Sequence, residues 1–118
     1  MLIAQISDPH LGPLPPVRLR QLLSKRAFGY FNWRNHRLHA FDESVLAALT
    51  ADMKAAKPDH IAVTGDLVNI GLPQEFDTAL AWLHTLGAPA DVTVVPGNHD
   101  AYVASAVAHF SSKWLPFA

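Results

Sequence analysis

Residues 92–100 read Val-Thr-Val-Val-Pro-Gly-Asn-His-Asp, an apolar β-branched run that gives way to a cluster of polar side chains. Two earlier stretches share this plan, because residues 2–10 end in Asp-Pro-His and residues 60–66 end in Gly-Asp. Short apolar runs bounded by turn-forming residues are typical of strands. The pattern predicts three buried strands, at Leu2–Ser7, His60–Thr64 and Val92–Val95.

Helical patterns separate and follow these strands. Apolar residues recur at helical spacing over Glu43–Lys57 and again between Pro73 and Gly87, and a last helix is predicted over Tyr102–Trp114. Alternating strands and helices with long connections favour right-handed parallel crossovers. The predicted fold class is therefore α/β, with a mainly parallel β-α-β-α-β sheet and flanking helices.

Composition narrows the class of protein. The chain has 118 residues, which is enough for one domain or part of one. It contains no cysteine, so any metal ligands must be nitrogen or oxygen atoms. Its formal net charge is −1. The balanced charge gives no reason to expect nucleic acid as a partner. Because the sequence has no signal-peptide pattern and no apolar run of membrane-spanning length, we expect a cytoplasmic protein.

Potential metal ligands follow all three predicted strands. In open parallel sheets, functional groups gather beyond the carboxyl ends of the strands. Asp8 and His10 are two residues apart, so an extended backbone would direct both side chains to one side. Asp66 and Asn98 each follow a glycine and offer oxygen ligands. Each such residue taken singly is more often a turn or capping residue, but their joint occurrence at three strand ends indicates a metal site.

The three blocks together resemble the calcineurin-like metallophosphoesterases, whose signature runs Asp-x-His, Gly-Asp and Gly-Asn-His-Asp/Glu, then a lone His and Gly-His-x-His. The segment Ile6–Gly12 further resembles the bacterial branch that includes cyclic-nucleotide phosphodiesterases. The resemblance implies the first half of a metallophosphoesterase αββα sandwich. It also implies four metal ligands, Asp8, His10, Asp66 and Asn98, of which Asp66 would bridge the two ions. The implied catalytic residues are His99 and Asp100, with Asp100 orienting the His99 ring.

The later histidine blocks of that signature do not follow Asp100. We therefore expect residues 1–118 to be the N-terminal part of one metallophosphoesterase domain, a fragment that is inactive by itself. The resemblance implies hydrolysis of a phosphodiester or phosphomonoester, nucleotide or lipid-linked, by a water activated between two ions of manganese, iron or zinc. The alternative is a non-catalytic scaffold or binding module of the same fold.

A basic, aromatic insert at about residues 16–39 stands apart from the motifs. Aromatic residues are interleaved there with basic ones, and the segment contains no acid. Six of the nine Lys and Arg residues of the chain lie in it: Arg18, Arg20, Lys25, Arg26, Arg34 and Arg37. Three interpretations stay open: a cap over the metal site that selects an anionic substrate, peripheral contact with an anionic membrane, or an amphipathic helix with a solvated basic face. The last predicts that Leu19, Leu22 and Leu23 are buried. We expect His36 and His39 to be surface residues rather than ligands.

Overall fold

A computed structural model describes residues 1–36 and 42–118. Its three strands are β1 (Ile3–Ser7), β2 (His60–Thr64) and β3 (Val92–Val95), joined as one parallel sheet in the order β1-β2-β3. The predicted α/β class and the parallel sheet are confirmed. All three strands therefore end at the same edge of the sheet, where the sequence places its polar clusters.

Four helices and two short 3₁₀ turns account for most of the remaining described chain. They are α1 (Lys25–His36), α2 (Glu43–Ala55), α3 (Pro73–Leu86) and α4 (Ala104–Lys113), with 3₁₀ turns at Leu19–Leu22 and Leu115–Phe117. Asp42 caps α2 by accepting hydrogen bonds from the N–H groups of Ser44 and Val45. Within the described part of the chain, no helix combines the length and apolarity needed to cross a membrane.

Only one face of the sheet is fully buried. Ile6, Val63 and Val94 lie in register across the three strands and are all buried. The opposite face is more exposed and mixes polar side chains with apolar ones such as Val95, and there Gln5 Nε2 donates to Thr64 Oγ1 at 2.9 Å. The prediction of three buried strands is thus corrected for β1, where Ile3 is 54% exposed. Side chains alternate across a strand, so a continuous apolar run does not ensure burial on both faces.

Helices α3 and α4 are joined by two fully buried aromatic rings. The centroids of Phe76, on α3, and Trp114, directly after α4, are 4.9 Å apart. Trp114 Nε1 also donates to the Phe76 carbonyl at 3.1 Å, so the polar edge of the indole is paired inside the core. This contact fixes the C-terminal end of α4 against α3.

The insert differs from the expectation of an amphipathic helix with buried leucines. Leu19 and Leu23 are each 85% exposed, while Leu22 is half-buried. His36 is exposed, as predicted. The end of the insert, with Arg37 and His39, lies outside the described residues.

Replacing the buried indole is expected to be costly. We predict that Trp114→Ala lowers the free energy of unfolding by about 3–5 kcal/mol, because it removes the ring packing and leaves a cavity. The neighbouring Leu115 is 66% exposed, so Leu115→Ala is the matched control, with an expected change below about 0.5 kcal/mol. Urea unfolding of both variants measures the difference, and similar losses would contradict the assigned packing.

Candidate metal centre

The loops that leave β1 and β2 have an unusual backbone. Asp8, His10 and Asp66 have φ angles of 49°, 40° and 30°, in the left-handed region that non-glycine residues seldom occupy. Hydrogen bonds hold the two loops together, including one from His10 N to the Asp66 carbonyl at 3.0 Å. The expected extended path through Asp8 and His10 is therefore wrong. The side chains converge because the chain turns at each residue, and such strain tends to occur at functional sites.

The convergence brings three potential ligands together. Asp8, His10 and Asp66 each offer one ligand atom, and these atoms lie within 4.8 Å of one another. Asp66 is buried, His10 is partly buried and Asp8 is exposed, so the cluster opens to solvent on one side. Two carboxylates and an imidazole form a donor set that suits manganese, iron or zinc. The residues present therefore fit a metal ion.

Asp66 has two different surroundings at its two oxygens. Oδ1 accepts a hydrogen bond from the backbone N–H of His99 at 2.8 Å, and Oδ2 lies 3.8 Å from His10 Nε2. One oxygen thus fixes the turn after β3, while the other faces the ligand cluster. Gly97 makes this possible, because a Cβ atom there would collide with the Asp66 carboxylate and backbone.

The ring of His10 is held from behind by the main chain. Its Nδ1 lies 3.3 Å from the Val68 carbonyl, which can only accept a hydrogen bond. Nδ1 therefore carries the proton, and Nε2 is the nitrogen that faces Asp66. An imidazole whose other nitrogen donates to a carbonyl is a common arrangement for a metal-ligating histidine.

His99 is oriented by a different group from the one expected. Its Nδ1 lies 2.6 Å from the Asn69 carbonyl, and its ring stacks on Tyr102 with centroids 5.6 Å apart and an interplanar angle of 6°. The prediction that the Asp100 carboxylate orients this ring is corrected. A carbonyl holds the His99 ring, so Nε2 is the nitrogen left for chemistry.

Asp100 instead ties two loops of the site together. Its fully buried carboxylate accepts backbone hydrogen bonds from Leu67 and Val68 after β2, and from Gly97 after β3, each at 2.9 Å. Burial, and to a lesser extent the nearby charge of Asp66, raises the pKa of Asp100 to about 6, although these three N–H groups act in the opposite direction. Asp100 therefore positions the backbone around the candidate metal ligands.

A second buried carboxylate supports the loop that holds His99. Glu75, in the first turn of α3, accepts from the N–H groups of Asn69 at 2.7 Å and Leu72 at 2.8 Å. Burial raises the pKa of Glu75. Sequence reasoning missed Asn69 and Glu75. The Glu two residues after Pro73, at the start of an apolar helical pattern, is a capping signal that could have identified Glu75. Asn69 acts through its backbone carbonyl. Every residue has this group, so the residue type gave no signal of the role.

Asn98 lies exposed in the turn between Gly97 and His99. Its position after β3 is the one the sequence indicated, directly beside the residue whose N–H is bound by Asp66. Its role as a ligand of a second metal stays a prediction.

Comparison with protein families gives a match over residues 1–117 to the calcineurin-like phosphoesterases. The glycerophosphodiester phosphodiesterase GpdQ of Enterobacter lignolyticus is 32% identical over 106 residues, which cover 85% of this chain and 30% of that protein. A probable cyclic nucleotide phosphodiesterase of Synechococcus sp. is 31% identical over 99 residues, covering 83% of this chain and 31% of that protein. The chain thus spans less than a third of the length of each of these relatives.

The backbone acceptors behind the two histidine rings lead to a prediction about tautomers. At a pH where the rings are neutral, His10 and His99 should both carry their proton on Nδ1, because each Nδ1 faces a carbonyl. Two-bond ¹H–¹⁵N correlation spectra distinguish the tautomers. Exposed His36 is the control and should favour the Nε2–H form of free imidazole. An Nε2–H pattern at His99 would contradict the contact with Asn69.

Proposed function

The chain belongs to the calcineurin-like phosphoesterase family, and we propose that the protein containing it hydrolyses a phosphoester at a metal centre built on Asp8, His10 and Asp66. The observation that supports this most strongly is the convergence of their ligand atoms within 4.8 Å, at adjacent strand ends. An isolated pair of carboxylates would repel each other so close together, and a cation relieves that repulsion. This favours a hydrolase over a scaffold that has lost its metals.

The proposed centre holds two metal ions, as the resemblance to the metallophosphoesterases implies. Asp66 is proposed as the bridging ligand, Asp8 and His10 as ligands of the first ion, and Asn98 as a ligand of the second. Manganese, iron or zinc suits these nitrogen and oxygen donors. Such ions, when bound, supply Lewis acidity toward phosphoryl oxygens and lower the pKa of water at the site.

The protein's own contribution to the reaction is proposed to centre on His99. With Nδ1 donating to the Asn69 carbonyl, the ring presents Nε2 to the substrate. In its imidazolium form the ring would carry a second proton at Nε2, which would stabilise a phosphoryl oxygen or pass to the leaving oxygen. Asp100 assists by fixing the turn from which His99 projects, and not by exchanging a proton with it.

The substrate class proposed is a phosphodiester, nucleotide or lipid-linked. Support comes from the two relatives, whose names refer to a glycerophosphodiester and a cyclic nucleotide. Both names describe phosphodiesterases, and the present chain shares about a third of its residues with each over the matched region.

The bridging assignment makes Asp66 more important than Asn98. In the protein that contains this chain, Asp66→Asn should lower manganese-dependent turnover by about tenfold or more beyond the loss in Asn98→Ala, because the carboxylate serves both ions. Asn at position 66 retains an oxygen that can accept from His99 N, so the comparison isolates the charge. The measurement is hydrolysis of an activated phosphodiester. Equal losses, or a milder effect at Asp66, would refute the bridging role.

His99 should matter for turnover but not for metal content. We expect His99→Ala to reduce turnover by about 10²–10⁴-fold and to leave the bound manganese nearly unchanged, since it removes a donor to phosphate and no ligand. Metal analysis of the purified variant tests this, with exposed His84→Ala as the control. Loss of one metal equivalent would place His99 among the ligands instead.

A further inference from the structure

Helix α1 of the insert is fastened to the body of the protein by polar contacts on one side. The Arg26 guanidinium donates to the carbonyls of Ile70 at 3.3 Å and Gly71 at 2.7 Å. The Tyr102 hydroxyl donates to the Lys25 carbonyl at 2.9 Å, and a Cβ atom on Gly29 would lie 2.9 Å from that hydroxyl. Arg26 and Gly29 therefore mark the inward side of α1.

The opposite side of α1 is open and carries two large apolar rings beside the polar side chains of Asn32 and Asn35. Phe28 is 79% exposed and Phe31 is 61% exposed, and their spacing of three places them on the same side of the helix. Lys25 and Arg34 are also exposed. Viewed down the helix axis, they lie on opposite sides of the two phenylalanines. Exposed aromatic rings with basic flanks are a feature of helices that lie in a membrane interface.

The preceding 3₁₀ turn extends the same character. Leu19 and Leu23 are each 85% exposed, and the adjacent Arg18 and Arg20 are exposed as well. Four large exposed apolar residues thus lie between residues 19 and 31, all of them in the segment that contains no acid. We define the insert face by these residues: Leu19, Leu23, Phe28 and Phe31, with Arg18, Arg20, Lys25 and Arg34.

We propose that the insert face binds peripherally to the surface of an anionic lipid bilayer. Charge complementarity identifies the partner, because residues 11–41 contain six basic residues and no acid, and a negatively charged leaflet attracts such a segment. The four apolar side chains would enter the boundary between head groups and acyl chains. The described helices are too short or too polar to span a membrane, so the contact is with one leaflet.

Other partners fit this face less well. Nucleic acid would use the basic residues and could stack on the phenylalanines, but it offers nothing to the two leucines. A protein partner would need a surface that is both apolar and uniformly acidic to match a face without any acid. The lipid interface satisfies the leucines, the aromatic rings and the charges together. None of these side chains belongs to the proposed metal centre, so the proposal stands independently of the catalytic one.

Vesicle binding by the protein that contains this chain tests the proposal. The probes are vesicles of phosphatidylcholine, alone or with about 30% phosphatidylglycerol, at about 0.1 M and about 0.5 M salt. One variant is Phe28→Gln with Phe31→Gln, which retains helix propensity. The second is Lys25→Gln with Arg34→Gln. The matched control is Leu115→Gln with Lys57→Gln, which removes one exposed apolar and one exposed basic residue elsewhere.

We expect the wild type to partition at least about tenfold more strongly into anionic than into neutral vesicles, with weaker binding at high salt. The double Phe→Gln variant should bind anionic vesicles about tenfold more weakly than the wild type, and the variant at Lys25 and Arg34 about 10–30-fold more weakly. The control variant should differ from the wild type by less than about twofold. Absence of binding to anionic vesicles, or binding that the Phe pair leaves unchanged, would overturn the proposal. Equally tight binding to a short RNA, insensitive to the Phe pair, would assign the face to nucleic acid and also overturn it.

Discussion

The Asp100 carboxylate is the interaction on which the rest of the site depends. It joins the backbone after β2 to the backbone after β3 through three N–H groups, inside a region where water cannot replace them. Burying a carboxylate without hydrogen-bond donors costs free energy. The buried Asp100 side chain therefore strongly favours the one loop arrangement that supplies its three backbone donors. With these loops fixed, Asp66 can reach His99 N on one side and the ligand cluster on the other.

Glu75 and Asn69 form a second set of buried hydrogen bonds beside those of Asp100. Glu75 holds the N–H groups of the loop from Asn69 to Leu72, and Asn69 in turn donates from its side chain to the Leu11 carbonyl. The Asn69 carbonyl is thereby placed for His99. Two buried acids outside the candidate ligand cluster thus help to determine where the Asp66 carboxylate and the His99 ring point. The geometry of a site depends on such supporting groups as much as on the groups that touch substrate.

The sequence predicted the strands, the parallel sheet and the convergence of Asp8, His10 and Asp66, since these follow from local patterns and from the common edge of parallel strands. It did not predict the left-handed backbone at Asp8 and His10, because that conformation comes from hydrogen bonds between loops that are distant in sequence. The orientation of His99 by Asn69 involves a carbonyl, which every residue has. The exposure of Leu19 and Leu23 was missed because periodicity does not say whether any surface lies opposite a helix.

Tyr102 touches both α1 and the His99 ring, through its hydroxyl on the Lys25 carbonyl and its stacked contact with His99. A ligand that reoriented the His99 ring, and Tyr102 with it, would change the free energy of the contact between Tyr102 and α1. Thermodynamic linkage makes such an effect reciprocal. A bilayer that holds α1 in one orientation would then alter affinity at the metal centre by the same factor that occupancy of the centre alters affinity for the bilayer.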